Sequence, residues 1–251
     1  MKNPIIFTTP RTGSTIICRM LGSISKQLFG HRNTLYEYFN TNFIDKEVGA
    51  KRFEFVSAFV HNVETIVAVH GRYVSGSKED IVSQRLELLK QYPKHTLKVF
   101  PSDLTPDMLK FFESEYDFLF LERRDKVEQF LSYCSILHTQ KTHHLATEQG
   151  SIGEFPFRPD KVSWFARQLQ QYADIRDTHK GITIYYEDFM SLGGSQRALA
   201  ILLGLADAAF DDCFLKTKPT PYEDTYEHLI SNQSEWQTHK QYVVDTLSKF
   251  N

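Results

Sequence analysis

The fold of this chain is constrained most by the alternation of short apolar runs with segments of helical spacing. The runs are rich in β-branched and aromatic residues and largely lack the polar–apolar alternation of a half-exposed strand. Four of them are predicted as core strands: 5–8, 96–100, 118–122 and 182–186. Helices are predicted at 79–91, after residue 126, from Pro159, and from a capping box that opens at Ser234. This order predicts an α/β fold of three layers, with a central, mainly parallel sheet flanked by helices.

The first predicted strand leads into a loop whose composition is typical of an anion site. Residues 9–15 read Thr-Pro-Arg-Thr-Gly-Ser-Thr, and apolar residues at helical spacing follow directly. Such a loop points backbone N–H groups and the positive end of a helix macrodipole at one small volume, which suits phosphate or sulfate. Gly13 lets the backbone approach the anion, and Arg11 adds a fixed positive charge. An ordinary strand-to-helix turn is the alternative interpretation.

The loop makes the predicted fold P-loop-like, but it departs from the nucleoside-triphosphate motif. That motif has a lysine between its last glycine and the hydroxyl residue, and an earlier glycine at its start. Here Ser14 follows Gly13 directly, position 8 is threonine, and the cation precedes the glycine at Arg11. The sequence therefore predicts an anion site that does not work in the manner of an ATPase.

Length and composition limit the classes of protein to which the chain can belong. With 251 residues, it is expected to form a single domain over 1–251. A formal net charge of −2 and the lack of a long basic run argue against nucleic acid as a partner. Cys18, Cys134 and Cys213 are too far apart along the chain to suggest a disulfide framework. No apolar run approaches the ~20 residues of a membrane helix and no signal peptide is visible, so a cytoplasmic protein is expected.

A second cationic feature follows the third predicted strand. Arg123 and Arg124 lie at the end of that strand, where two guanidinium groups are costly unless they meet an anion. Ser132 lies two helical turns after Arg124, off the apolar stripe of the helix, so it can face the same crevice. The competing interpretation is that Arg124 pairs with Asp125 or another neighbouring carboxylate. The anion loop at the strand ends of the same sheet favours the contact with an anion.

These motifs resemble a known family. Residues 10–15 resemble the 5′-phosphosulfate loop of the sulfotransferases that use 3′-phosphoadenosine 5′-phosphosulfate (PAPS), and Arg124 and Ser132 resemble their 3′-phosphate pair. The run 123–132 is most similar to the bacterial carbohydrate branch that sulfates trehalose. Residues 36–39 (Tyr-Glu-Tyr-Phe) resemble the element that supplies the base in that branch, and 185–189 (Tyr-Tyr-Glu-Asp-Phe) a strand-end signature of the superfamily.

The resemblance implies an enzyme that moves a sulfuryl group from PAPS to a hydroxyl of a small acceptor, with a carbohydrate expected as the acceptor. The product of the donor is then 3′-phosphoadenosine 5′-phosphate (PAP), and no metal is expected. Glu37 is implied as the general base and Arg11 as a catalytic cation. The donor-binding residues expected from the resemblance are Arg11, Thr12, Gly13, Ser14, Thr15, Arg124 and Ser132. His70 and His138 are rival bases, because histidine titrates near neutral pH.

Two functions of other classes remain open. One is a nucleotide kinase or NTPase in which Glu122 ends a strand and organises magnesium. The other is a PAP-binding module that has lost its base. The chain lacks the C-terminal Arg-Lys-Gly element of the animal enzymes, and Thr-His-His at 142–144 stands where a tryptophan is expected, so the acceptor pocket is expected to differ. The apolar face of the helix around Trp236 also leaves a homodimer open.

Overall fold

The computed structural model describes residues 2–29, 34–36, 39, 78–91, 95–139, 153–205 and 226–251. Within these residues, one sheet is formed in which all neighbouring strands are parallel. Its strands are β1 (Asn3–Thr8), β2 (Thr34–Tyr36), β3 (Thr96–Val99), β4 (Tyr116–Glu122) and β5 (Gly181–Tyr185). Their spatial order is β2-β3-β1-β4-β5.

Helices connect the strands and cover the sheet. The α-helices are α1 (Ser14–Phe29), α2 (Lys78–Gln91), α3 (Pro106–Glu115), α4 (Lys126–Thr139), α5 (Val162–Thr178), α6 (Tyr186–Ser191), α7 (Gln196–Leu202) and α8 (Gln233–Leu247). Short 3₁₀ helices lie at Pro101–Asp103, Pro159–Lys161, Tyr226–Leu229 and Ser248–Phe250. α1 packs on β1 and β3 and against α7, while α8 contacts both α4 and α5. The predicted α/β fold, a parallel sheet flanked by helices, is confirmed. No helix among these residues is long and apolar enough to cross a membrane.

The interior contains two apolar clusters. The first surrounds the sheet, and its centre is β1, whose residues 4–8 are all buried. Burial on both faces explains why this strand shows no polar–apolar alternation. The second cluster joins α4, α5 and α8, with Phe130, Phe165 and Trp236 fully buried. Trp236 packs against Phe157 of its own chain, so the apolar face around it is used within the chain rather than left for a partner.

The strand order puts a ligand crevice beside the central strand. The chain leaves β1 towards β2 on one side of the sheet, and it leaves the adjacent β4 towards β5 on the other side. Where neighbouring strands send their connections in opposite directions, a crevice opens at their carboxyl ends, and ligands of α/β proteins bind there. The loop after β1 and the turn after β4 are therefore both at this switch point.

The sequence located the long elements well and missed the short ones. All four predicted strands are confirmed, as are the helices at α2, α4, α5 and α8. β2 was missed because a strand of three residues carries too little pattern to detect. The prediction that Ser234 caps the last helix is wrong: α8 begins at Gln233, its N-cap is Asn232, and the Asn232 side chain accepts from the backbone N–H of Phe157.

Buried tyrosines give a testable pH dependence of stability. Burial raises the pKa of Tyr116, Tyr172 and Tyr186 above the ordinary value of 10.0. A phenol whose pKa is higher in the folded chain stabilises the fold fully below the unfolded pKa, and this contribution is lost as the pH rises above it. We expect Tyr172→Phe to make the free energy of unfolding fall less steeply above pH 10.0 than in the wild type. Urea unfolding at several alkaline pH values measures this.

The exposed Tyr242 provides the control, since its side chain is 49% exposed. Tyr242→Phe is expected to leave the alkaline slope unchanged. A Tyr172→Phe slope equal to that of the wild type would contradict the assignment of alkaline sensitivity to the buried phenols.

Candidate active site

The loop between β1 and α1 holds a left-handed backbone conformation at two positions. Arg11 has a φ of 68° and Gly13 a φ of 72°. Glycine adopts this conformation without steric cost, whereas arginine does not. A Cβ atom on Gly13 would also overlap the ring of Tyr186. Such strain persists where the surroundings over-determine the backbone, and the Arg11 conformation is therefore an indication of a functional loop.

Hydroxyl groups of this loop form hydrogen bonds within the loop. Thr12 is fully buried, its hydroxyl is hydrogen-bonded to that of Thr8, and it donates to the carbonyl of Thr9 at 3.2 Å. Because the Thr12 hydroxyl is used within the loop, its predicted contact with an anion depends on its backbone N–H. Ser14, which is buried, and Thr15, which is half-buried, form the first residues of α1, where the backbone N–H groups have no acceptor within the helix.

Gln129 on α4 ties the loop to the neighbouring strand–helix unit. Its side chain is fully buried, and its amide nitrogen donates to the Thr9 hydroxyl at 2.8 Å and to the Pro10 carbonyl at 2.6 Å. These bonds fix the backbone directly before Arg11. The sequence contained a signal for this role, because Gln129 and Ser132 are three residues apart and therefore lie on one face of the helix.

Arg11 and Ser132 are brought together by the fold. The Nε of Arg11 donates to the Ser132 hydroxyl at 3.0 Å, across 121 positions of sequence. Ser132 is buried, with 1% of its surface exposed. The loop after β1 and the helix after β4 thus meet at one point, as a site shared by the two features requires.

Arg124 does not take part in the contact between Arg11 and Ser132. Its guanidinium group forms a two-pronged ion pair with Asp188, at 2.6 and 2.8 Å, and lies 4.2 Å from the ring centroid of Tyr185. Hydrogen bonding to Asp188 raises the pKa of Arg124, and the same bond lowers the pKa of Asp188. Its backbone N–H donates to Glu187 at 2.9 Å. The pairing with a carboxylate, which was the competing interpretation of Arg124, is the arrangement found here.

Arg123 is directed to the anion loop instead. Its guanidinium carbon lies 6.0 Å from the ring centroid of Tyr186, the ring that packs on Gly13. Burial raises the pKa of Tyr186, and the positive charges of Arg123 and Arg11 oppose this rise, so both guanidinium groups act on one phenol. The Nε of Arg123 is buried and has no hydrogen-bond partner among the residues that the structure describes. The resemblance to the 3′-phosphate pair had favoured Arg124, and adjacent arginines in a sequence give no signal of which side each one faces.

Glu122 ends β4 in a cluster of buried charges. Its carboxylate is 2.5 Å from a guanidinium nitrogen of Arg176 and 3.4 Å from the ammonium group of Lys126. Glu122 and Lys126 each expose only 4% of the side chain. Both oxygens of Glu122 are thus paired with cations of the chain itself. This arrangement argues against the alternative function, a nucleotide kinase or NTPase in which Glu122 organises magnesium.

The remaining predicted residues fall into two groups. Glu37 and His70 lie outside the residues that the structure describes. His138 is exposed near the end of α4, six positions beyond Ser132. Cys18 and Cys134 are buried free thiols, as predicted, while Cys213 lies outside the described residues.

The fold and the loop together define an α/β protein in which a strand–loop–helix turn lies at the switch point of a parallel sheet. A profile of the Stf0 sulphotransferase family matches residues 3–152. The chain belongs to the Stf0 sulphotransferase family, and the predicted resemblance to the PAPS-dependent sulfotransferases is confirmed.

Similarity to solved structures was also found. The chain is similar to the sulfotransferase domain from the curacin biosynthetic pathway, with 14% sequence identity and a TM-score of 0.46, over 98% of this chain and 97% of that one. No curated protein sequence matches the chain.

Proposed function

We propose that this protein transfers the sulfuryl group of PAPS to a hydroxyl group of a small acceptor, and that this acceptor is a carbohydrate. The observation that carries the proposal is the contact between Arg11 and Ser132, which joins an anion loop to a second polar group at the carboxyl ends of adjacent parallel strands. PAPS carries two anionic groups on one nucleotide. A crevice with two neighbouring anion-binding elements suits such a ligand.

The loop would bind the 5′-phosphosulfate end of the donor. Its backbone N–H groups, the first turn of α1 and the guanidinium group of Arg11 supply donors and positive charge to one volume. The 3′-phosphate would then lie against Ser132 and an arginine of the turn after β4. The resemblance assigns that arginine as Arg124, whereas Arg123 is supported by its buried Nε, which has no hydrogen-bond partner within the described part of the chain.

The chemistry is an in-line exchange of oxygens on sulfur. The acceptor oxygen forms a bond to sulfur while the bond from sulfur to the bridging phosphate oxygen breaks, and the bridging electron pair leaves with PAP. Arg11 and the loop amides would stabilise the charge that develops on the departing oxygen. The acceptor proton must be taken by a base within hydrogen-bond reach, and Glu37 is proposed for this role.

In this proposal the positive field comes from the chain and not from a metal. The carboxylate at the end of β4 that could bind a cation, Glu122, is instead neutralised by Lys126 and Arg176. The guanidinium group of Arg11 and the loop amides would take the place that magnesium occupies in phosphoryl transfer.

The donor is tested by comparing the affinity for PAP with that for adenosine 5′-phosphate. Each charge-assisted contact with the 3′-phosphate is worth roughly 1.5–3 kcal/mol, so PAP is expected to bind about 10- to 100-fold more tightly. Calorimetry with Arg123→Ala, Arg124→Ala and Ser132→Ala then assigns the contact. The arginine that binds the 3′-phosphate is the one whose removal erases the preference for PAP.

Equal affinity of the wild-type protein for the two nucleotides would overturn the proposed donor. The acceptor is tested separately by incubating the enzyme with PAPS and a panel of sugars, phenols and tyrosine peptides. Mass spectrometry then identifies the compound that gains one sulfuryl group. A gain on phenols alone would contradict the carbohydrate assignment and leave the donor assignment intact.

A further inference from the structure

The peptide unit between Arg123 and Arg124 is held from both sides by charged side chains, a buried lysine and a half-buried glutamate. The ammonium group of Lys126 donates to the carbonyl oxygen of Arg123. The carboxylate of Glu187 accepts from the N–H of Arg124 at 2.9 Å. These are the carbonyl and the N–H of one and the same peptide unit, so its plane is fixed by one cation and one anion.

Lys126 and Glu187 together form a clamp on this peptide unit, and burying the charge of the lysine has an energetic cost. Lys126 exposes 4% of its side chain, and burial lowers its pKa, an effect that the nearby Glu122 carboxylate opposes. Buried ion pairs contribute little to stability compared with well-packed apolar residues of the same volume. The energetic cost of burying Lys126 therefore indicates a role beyond that of holding the fold.

The clamp determines the directions of the two arginines. Arg123 and Arg124 lie in the turn between β4 and α4, on either side of this peptide unit. With their shared peptide fixed, Arg123 is directed to Tyr186 and the anion loop, while Arg124 is directed to Asp188. Without these two bonds the backbone dihedral angles at Arg123 and Arg124 would be less restricted, and with them the direction of the Arg123 side chain.

We infer that Lys126 is a positioning residue for the donor site: it fixes the peptide after Arg123 so that the Arg123 guanidinium group is already aimed at an anion of the bound nucleotide. This inference rests on the proposed function, and it adds a residue that does not itself touch the donor. Pre-organisation of this kind strengthens binding because the ordering is complete before the ligand arrives.

A double-mutant cycle on PAP affinity tests the inference. Arg123→Ala is expected to weaken PAP binding about 10- to 100-fold, as the loss of a charge-assisted contact does. Lys126→Met, which removes the ammonium group but keeps the length of the side chain, is expected to weaken it roughly three- to tenfold. In the Arg123→Ala background, Lys126→Met is expected to change the affinity less than about twofold, because the residue through which it acts is gone.

Controls separate positioning from loss of stability. Val243→Ala removes buried volume in the second apolar cluster, far along the chain from the turn, and is expected to keep wild-type PAP affinity despite a lower melting temperature. If Lys126→Met does not fold, Lys126→Gln replaces it in the same cycle.

The outcomes are distinct. Wild-type affinity in Lys126→Met, or effects of Lys126→Met and Arg123→Ala that simply add, would overturn the positioning role. Wild-type affinity in Arg123→Ala would overturn it as well, but the proposed function would still stand. Only a wild-type protein that fails to prefer PAP would count against the donor itself.

Discussion

Replacing Arg11 with alanine is expected to lower turnover by about 10²–10³-fold, the usual cost of removing one donor from a charge-stabilising site. PAP affinity is expected to fall much less, because the guanidinium group matters most when charge develops on the departing oxygen. The structure supports this expectation, since Arg11 is held in a left-handed conformation and its Nε is fixed by Ser132. Steady-state kinetics with PAPS, together with calorimetry with PAP, measures both quantities.

Two further variants sharpen this test. Arg11→Lys keeps the charge but not the planar fork of donors, and is expected to fall between the wild type and Arg11→Ala. Arg158→Ala removes an arginine that pairs with Asp160 on the surface, and is expected to leave turnover unchanged. An Arg11→Ala enzyme with wild-type turnover would make Arg11 an ordinary surface cation.

Glu37→Gln is expected to have the largest effect of any single change. The amide keeps the size of the side chain and can still hydrogen-bond an acceptor, but it cannot take the acceptor proton. Loss of a general base costs about 10²–10⁴-fold in rate, and we expect turnover to fall by that order with near-normal PAP affinity. The acidic limb of the pH–rate profile is expected to disappear with it.

Matched changes at the rival bases decide the assignment. His70→Gln and His138→Gln are expected to keep turnover within a few-fold of the wild type, and the exposure of His138 supports this. A Glu37→Gln enzyme close to the wild type, beside an inactive His70→Gln or His138→Gln enzyme, would transfer the role to that histidine. The donor site would be unaffected, since it depends on other residues.

The sequence by itself was sufficient to predict four of the five described strands, the helices α2, α4, α5 and α8, and the loop that leads from β1 into a helix. Strands buried on both faces are largely apolar, and residues 5–7 of β1 and 118–121 of β4 show this directly, whereas β3 also buries Lys98. β5 was found as well, although much of it is exposed. The loop at 9–13 was found because glycine beside hydroxyl and cationic residues, between a strand and a helix, has few other uses. These properties are local, so they can be predicted from residues that are neighbours in the sequence.

Only the tertiary structure decided which side chains form the site. Arg123 and Arg124 are chemically identical neighbours. Lys126 and Glu187 bond to the peptide unit between them. Asp188 pairs with Arg124 alone. The contact of Arg11 with a serine 121 positions away likewise depends on the pairing of β1 with β4. The sequence therefore determined which kinds of chemical groups are present. The packing of distant segments determined the directions of the side chains, because these directions depend on contacts that sequence spacing does not record.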